Sequence, residues 1–112
     1  MHSKFISWCD DHASECLAQQ RILAADSRKD EAAFMQIRAN VYGIFRAVYT
    51  AMNGDLARVK EKLTSIPAAW EESLRRAEAH GETEKVHVER IKLETVQAIR
   101  HYIDQMEAKA HD

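Results

Sequence analysis

Cys9, His12 and Cys16 carry side chains that bind zinc and other transition metals. Their spacing places them along one side of a helix. Seven residues rise about 10.5 Å along a helix, whereas two sulfur atoms on one zinc lie within about 4 Å of each other. Only His12 together with one of the two cysteines can therefore hold the same ion. The remaining ligands of such a site would have to come from another helix or a second subunit.

The same three residues have two other interpretations. Free cysteine is among the most buried residue types, which favours Cys9 and Cys16 as small core residues with His12 at the core edge. A nearby histidine can also activate a thiol as a nucleophile, but no orienting group or oxyanion hole is recognisable. A disulfide between the two cysteines is excluded within an intact helix, since their Cα atoms would lie too far apart.

Other titratable residues occur near the start of the last predicted helix and along it. Glu84 and His87 form a Glu-x-x-His pair, as in di-iron bundles, but such centres need several inward carboxylates. The apolar stripes of the second and third helices contain none, so we interpret the pair as surface residues. His87, Glu94 and His101 flank the stripe of the fourth helix. A solvated rim is favoured there over an inter-helix polar contact or a pH-sensitive seam.

The elements that would position these residues are four amphipathic helices. The chain has only 3 Gly and 1 Pro, which leaves few breaks for the turns of a β-protein. Apolar residues step by three and four along four segments, as one face of a helix requires. The clearest stripe is that of the second helix, which begins at Phe34. Those of the third and fourth helices begin at Leu56 and Val88, and the stripe of the first helix, which begins at Phe5, is weaker.

Capping residues predict where these helices begin and end. The first helix should run from Ser3 to near Ala25. Ser27 with Asp30 predicts a capping box for the second helix. Asn53-Gly54 predicts the end of the second helix, and Gly81 predicts the end of the third. Asp55 is expected to cap the start of the third helix.

The connections are about two to four residues long, which makes sequential helices antiparallel neighbours. The prediction is an all-α fold, an antiparallel up-down four-helix bundle in one domain over residues 1–112. The third helix is expected to be kinked or broken near Pro67. The alternative is a longer helical hairpin that completes its core by dimerising. Small residues at the centre, such as Ala13, Thr95 and Ala98, favour close packing over a pocket.

Charge and hydropathy exclude several function classes. The net charge of −2 argues against nucleic-acid binding, which usually requires a basic surplus. Glu71 and Glu72 follow Pro67, where a helix-turn-helix would place basic and amide residues. No apolar run approaches a membrane span, and the stretch near Phe5 is too short for a signal peptide. We therefore expect a cytoplasmic protein with reduced thiols.

These observations favour a non-catalytic helical interaction module that self-associates as a homodimer or binds a protein partner. Trp8, Tyr42 and Tyr49 lie near the edges of their stripes, and large aromatic residues are enriched at interfaces. No cofactor is expected in this interpretation. The alternative is a metal- or small-ligand-binding bundle that uses the Cys9/His12/Cys16 face, with zinc or another transition metal.

Overall fold

The computed structural model describes residues 3–110, and this part of the chain consists of four α-helices without strands. The helices are α1 (Lys4–Ala25), α2 (Lys29–Ala51), α3 (Leu56–Ala79) and α4 (Thr83–Ala110). The predicted all-α four-helix fold is confirmed.

Most of the predicted helix ends are confirmed. The Ser3 hydroxyl accepts a hydrogen bond from the Phe5 amide at the start of α1. The Asp55 carboxylate accepts hydrogen bonds from the Ala57 and Arg58 amides in the first turn of α3. Asn53 (φ 53°) and Gly54 (φ 75°) both adopt the left-handed conformation that ends α2.

The predicted capping box at Ser27 is wrong. Ser27 has φ 62° and lies in the left-handed turn after α1. Arg28 occupies the cap position of α2 without a side-chain hydrogen bond to the helix. Ser27 is part of the turn that reverses the chain, so it does not cap α2. Asp30 and Glu31 stabilise the first turn of α2 through their interaction with the helix dipole.

The helices form two antiparallel hairpins that meet through α2 and α4. α1 packs along α2 and α3 packs along α4, while α2 also contacts α4 and, less extensively, α3. The described part of the molecule measures 44 × 34 × 24 Å, so the bundle is flattened, with α1 and α3 towards the outside. Since α2 and α4 run in the same direction, their N-termini lie at the same end.

Pro67 lies inside α3, which runs through it without the break that was one of the two predicted outcomes. Proline has no amide hydrogen, so the Leu63 carbonyl four residues earlier loses its helical donor. The Arg100 guanidinium, from α4, donates a hydrogen bond to this carbonyl oxygen over 2.6 Å. It also lies 3.4 Å from the Thr64 hydroxyl. An arginine from the neighbouring helix therefore replaces the missing backbone donor.

The interior is packed unevenly along the bundle. Large buried side chains concentrate in the half formed by the N-terminal parts of α1 and α3 and the C-terminal parts of α2 and α4, here called the packed half. Its core consists of Phe5, Cys9, Val41, Tyr42, Phe45, Val59, Leu63, Val96, Ile99 and Ile103. The other half, here called the open half, buries mainly small or polar side chains, among them Ala32, Ala39, Ala77 and Glu89.

Between residues 3 and 110, no helix has the length and apolar character needed to cross a membrane.

Candidate functional site

Cys9 is a core residue of the packed half. It is 1% exposed and lies in the apolar cluster that holds Phe5 and Phe45. Burial, with a smaller contribution from the Asp10 carboxylate, raises the pKa of the Cys9 thiol to about 12. A reactive cysteine needs the opposite shift, because the thiolate is the nucleophile and the metal ligand.

His12 is half-buried and its ring is held in place by backbone and aromatic contacts. Its Nδ1 lies 2.9 Å from the Trp8 carbonyl oxygen. A carbonyl oxygen only accepts, so Nδ1 carries the proton in this hydrogen bond. The ring also packs against Trp8 and Tyr42, with centroid distances of 4.2 and 5.2 Å. Nε2 is therefore the ring nitrogen that remains for a ligand or a metal.

Cys16 lies further along the same side of α1 and is half-buried. Burial raises its thiol pKa, and the nearby Arg38 guanidinium opposes this shift. Tyr42 of α2 lies close enough to both cysteines that their charges contribute to raising its own pKa, after burial as the main cause. The Tyr42 phenol of α2 therefore lies beside the three predicted ligands of α1.

These contacts bear on the predicted metal site without testing it. Within residues 3–110, no three or more His, Cys, Asp or Glu side chains lie together as a metal site would require. A site that takes ligands from a second subunit is a different arrangement, so metal binding by Cys9, His12 and Cys16 stays a prediction. Metal analysis of untagged protein before and after dialysis tests it.

The aromatic residues proposed from the sequence to lie at an interface pack against each other inside the molecule. Trp8 stacks on Tyr102 with a centroid distance of 4.4 Å and an interplanar angle of 10°. Tyr49 stacks on Phe5 at 4.9 Å, and Tyr42 is 7% exposed. These rings join α1 to α2 and α4, so they carry little support for a dimer interface.

The predicted rim residues of α4, His87, Glu94 and His101, are all exposed. Glu94 accepts a hydrogen bond from Arg38 of α2 over 3.3 Å. His87 lies near the Phe34 ring, with 6.3 Å between the ring centroids. The rim therefore combines solvent exposure with one ionic contact between helices.

A surface that sequence reasoning missed runs along the outside of α2. Five exposed residues at helical spacing share this side, and none is charged: Asn40, Gly43, Ile44, Ala47 and Ala51, here called the α2 face. An uncharged face of this length is not confined to α2, because Gln97, Ala98, His101, Gln105 and Ala108 are also exposed and uncharged on α4. The α2 face differs in having a glycine in the middle of its helix. A helical-wheel count of exposed charges along α2 would have revealed it.

Gly43 stands at the centre of the α2 face, in the middle of a helix. A Cβ atom added there would have no neighbouring atom within 4 Å. Glycine in a helix interior is less stable than alanine by about 0.5–1 kcal/mol. No contact among residues 3–110 explains this glycine.

Glu89 is a second feature that the sequence did not indicate. Its side chain is buried in the open half, and one carboxylate oxygen accepts a hydrogen bond from Lys92 over 3.1 Å. The Lys92 ammonium lies 5.4 Å from the centroid of the Trp70 ring. Glu89 and Lys92 therefore interact within α4, and Lys92 also contacts Trp70 of α3.

Comparisons of the chain with protein-family models, with curated proteins and with solved structures found no match.

Proposed function

We propose that this protein is a non-catalytic helical interaction module that self-associates through the α2 face. The observation that carries the proposal is the combination of five exposed, uncharged residues with a mid-helix glycine at their centre. Small side chains let two helix backbones approach closely, and a glycine allows the closest approach. An interface against another helix gives Gly43 the packing role that it lacks in the monomer.

A second copy of the chain is the favoured partner because the face is self-compatible. Two copies related by a twofold axis would bring the same surface together. No charged side chain of the face would have to lose its hydration in that contact. Arg46, which lies beside the face, is already paired with Asp10 of α1 over 2.7 Å. Arg38 is similarly paired with Glu94 of α4.

The face is large enough to take part in a helix–helix contact. Residues 40 to 51 extend about 16 Å along a helix axis. Ile44, which is 37% exposed, supplies the one large apolar side chain at the centre. Typical stable interfaces bury about 800 Å² per partner, so neighbouring residues outside the α2 face would also have to contribute.

The cytoplasmic location is part of the same proposal. Both cysteines of the chain are free, as is usual in a reducing compartment. The acidic balance of the chain supports a protein partner over nucleic acid.

Sedimentation-velocity analysis over a wide concentration range tests self-association. We expect a dimer for the wild-type chain and a monomer for Ala47→Arg, because the substitution places a charge at the centre of the contact. Ile22→Arg is the matched control: Ile22 is 61% exposed and lies on α1, so this variant should dimerise like the wild type. A wild-type monomer at every concentration would refute the proposal, as would equal dimerisation of the two variants.

A further inference from the structure

The N-termini of α2 and α4 border a cleft in the open half of the bundle. Its volume is about 370 Å³, within the range of about 300–1,000 Å³ usual for small-molecule sites. Residues from the N-terminal turns of both helices line it: Asp30, Ala33, Phe34, Ile37, Thr83, Glu84, His87 and Val88. The cleft is separate from the Cys9/His12/Cys16 face, which lies between α1 and α2.

The lining of this cleft divides by chemistry. Phe34, Ile37 and Val88 are half-buried and form an apolar floor. Asp30 and Glu84 are exposed carboxylates at the rim, one on each helix. No lysine or arginine lines the cleft, and neither rim carboxylate forms a salt bridge with the described residues.

Asp30 and Glu84 differ in this respect from carboxylates of α3 and α4 that form ion pairs between helices. Glu78, Glu94 and Glu107 are each paired with a basic residue of the facing helix. The two rim carboxylates instead face an apolar recess, where the positive N-terminal end of each helix dipole offsets only part of their charge. The recess would bury an apolar group, and the rim charges would hold a cation attached to that group.

We propose that the cleft binds a small organic cation with an apolar or aromatic body and an ammonium group. The apolar body would lie against Phe34, Ile37 and Val88, where burial of apolar surface stabilises the complex. The ammonium would lie between Asp30 and Glu84, within reach of the Phe34 ring for a cation–π contact. The inference does not depend on self-association, because the cleft lies at the helix N-termini and the α2 face lies beyond it.

Tryptamine is a suitable probe, and indole-3-propionate is its matched anionic control. Both carry an indole on a short chain, so apolar burial is similar and only the charged group changes sign. In amide-resolved NMR titrations of the full chain, we expect tryptamine to shift resonances of residues 30–37 and 83–88. Indole-3-propionate should bind at least tenfold more weakly because the rim carboxylates repel it.

Two sets of variants test the two parts of the site. Asp30→Asn with Glu84→Gln should weaken tryptamine binding about five- to tenfold, and Glu61→Gln with Glu71→Gln, exposed carboxylates on α3, should leave it unchanged. Ala33→Phe should block the apolar recess, whereas Ala69→Phe should not.

The proposal is overturned by any of three results. The first is equal affinity for the amine and the carboxylate probe. The second is a set of shifts that maps outside residues 30–37 and 83–88. The third is wild-type affinity in both Asp30→Asn/Glu84→Gln and Ala33→Phe. Because these exposed positions lie outside the core, circular dichroism should show native helix content in every variant, and each result then reports on the cleft.

Discussion

The packed half and the open half of this bundle are made from the same four helices but are stabilised differently. The packed half buries Phe5, Phe45, Leu63, Ile99 and Ile103 almost completely. The open half has no comparable set among the described residues: its buried positions are mainly alanines with Glu89 and Thr95, and Ile91 is its large buried apolar residue. Apolar burial is the dominant favourable term in folding, so most of the stability should come from the packed half.

This difference suggests a division of roles. Large side chains fill the interior of the packed half, and Cys9 is enclosed among them. Its clefts, of about 310 and 250 Å³, are lined in part by residues at its edge such as Lys4 and Lys60. Smaller side chains in the open half leave a recess between α2 and α4, lined in part by Phe34 and Ile37. Substitutions should therefore affect stability most in the packed half and ligand binding most in the open half.

A matched pair of phenylalanines gives the largest expected contrast. Phe45 is 0% exposed in the packed half, and Phe34 is half-buried in the open half. Phe45→Ala should lower the free energy of unfolding by about 3–5 kcal/mol because it removes buried surface and leaves a cavity. Phe34→Ala should lower it by only about 1–1.5 kcal/mol. Urea denaturation followed by circular dichroism measures both values.

If Phe45→Ala is too unstable to fold, Phe45→Leu and Phe34→Leu give the same comparison with a smaller change in volume. Equal losses at the two positions would show that the open half contributes as much as the packed half. The proposed division between a stabilising half and a binding half would then be wrong.

The sequence was sufficient to predict the four helices, because local signals determine each of them. Apolar residues at helical spacing identified the buried side of α2 and α4, and Asp55 identified the start of α3. The failure at Ser27 shows the limit of such local rules. A serine before an acidic residue satisfies the capping pattern, but the reversal of the chain between α1 and α2 required a left-handed residue at that position.

Contacts between distant residues could not be predicted in the same way. Pro67 indicated a lost hydrogen bond, but nothing near it in sequence indicated that Arg100 would replace the donor. Likewise, Trp8 and Tyr42 were correctly placed at stripe edges, but their stacking against α4 and α1 depended on how the hairpins meet. The residues that line the α2/α4 cleft also come together only through this packing.

The contact between Arg100 and the Leu63 carbonyl, in the packed half, gives the next largest expected effect. Arg100→Met keeps the apolar stem but removes the donor, so it should cost about 1.5–3 kcal/mol of stability. In a Pro67→Ala background, the Ala amide can donate to the same carbonyl, so the cost of Arg100→Met should fall by about 1 kcal/mol.

Arg90→Met is the control for this cycle. Arg90 also joins α4 to α3, through Glu78 over 2.9 Å, but both side chains are exposed. Surface ion pairs contribute about 0–1 kcal/mol, and this cost should be independent of Pro67. An Arg100→Met cost that does not change with Pro67→Ala would contradict the proposed role of Arg100 as the replacement donor.

Alkaline pH should destabilise the packed half through Cys9. The folded pKa of about 12 lies above the ordinary value of 9.0, so the unfolded chain loses this proton first as the pH rises. Stability from this group is therefore fully present below pH 9 and declines between pH 9 and 12, by up to about 1.4 kcal/mol per pH unit. Urea unfolding at several pH values measures this slope.

Cys9→Ala should reduce that slope, whatever its effect on stability at neutral pH. Cys16→Ala is the matched comparison: burial raises the pKa of this thiol too, but Cys16 is only half-buried. The slope should therefore change less in Cys16→Ala than in Cys9→Ala. Identical slopes in wild type and Cys9→Ala would indicate that the Cys9 thiol is accessible to solvent.

The smallest expected effect concerns the outer side of α2 in the packed half, and it has opposite signs for folding and for association. Gly43→Ala should increase the free energy of unfolding of the monomer by about 0.5–1 kcal/mol, since the added Cβ meets no atom and alanine favours helix. The same methyl group should weaken dimerisation, because it would lie where the two α2 backbones approach most closely. Denaturation at protein concentrations below the dimer dissociation constant measures the first effect, and sedimentation velocity measures the second.

Ala57→Gly, at an exposed position on α3, is the reverse control and should destabilise the monomer without changing dimerisation. A Gly43→Ala variant that is more stable and dimerises as tightly as wild type would separate this glycine from any interface.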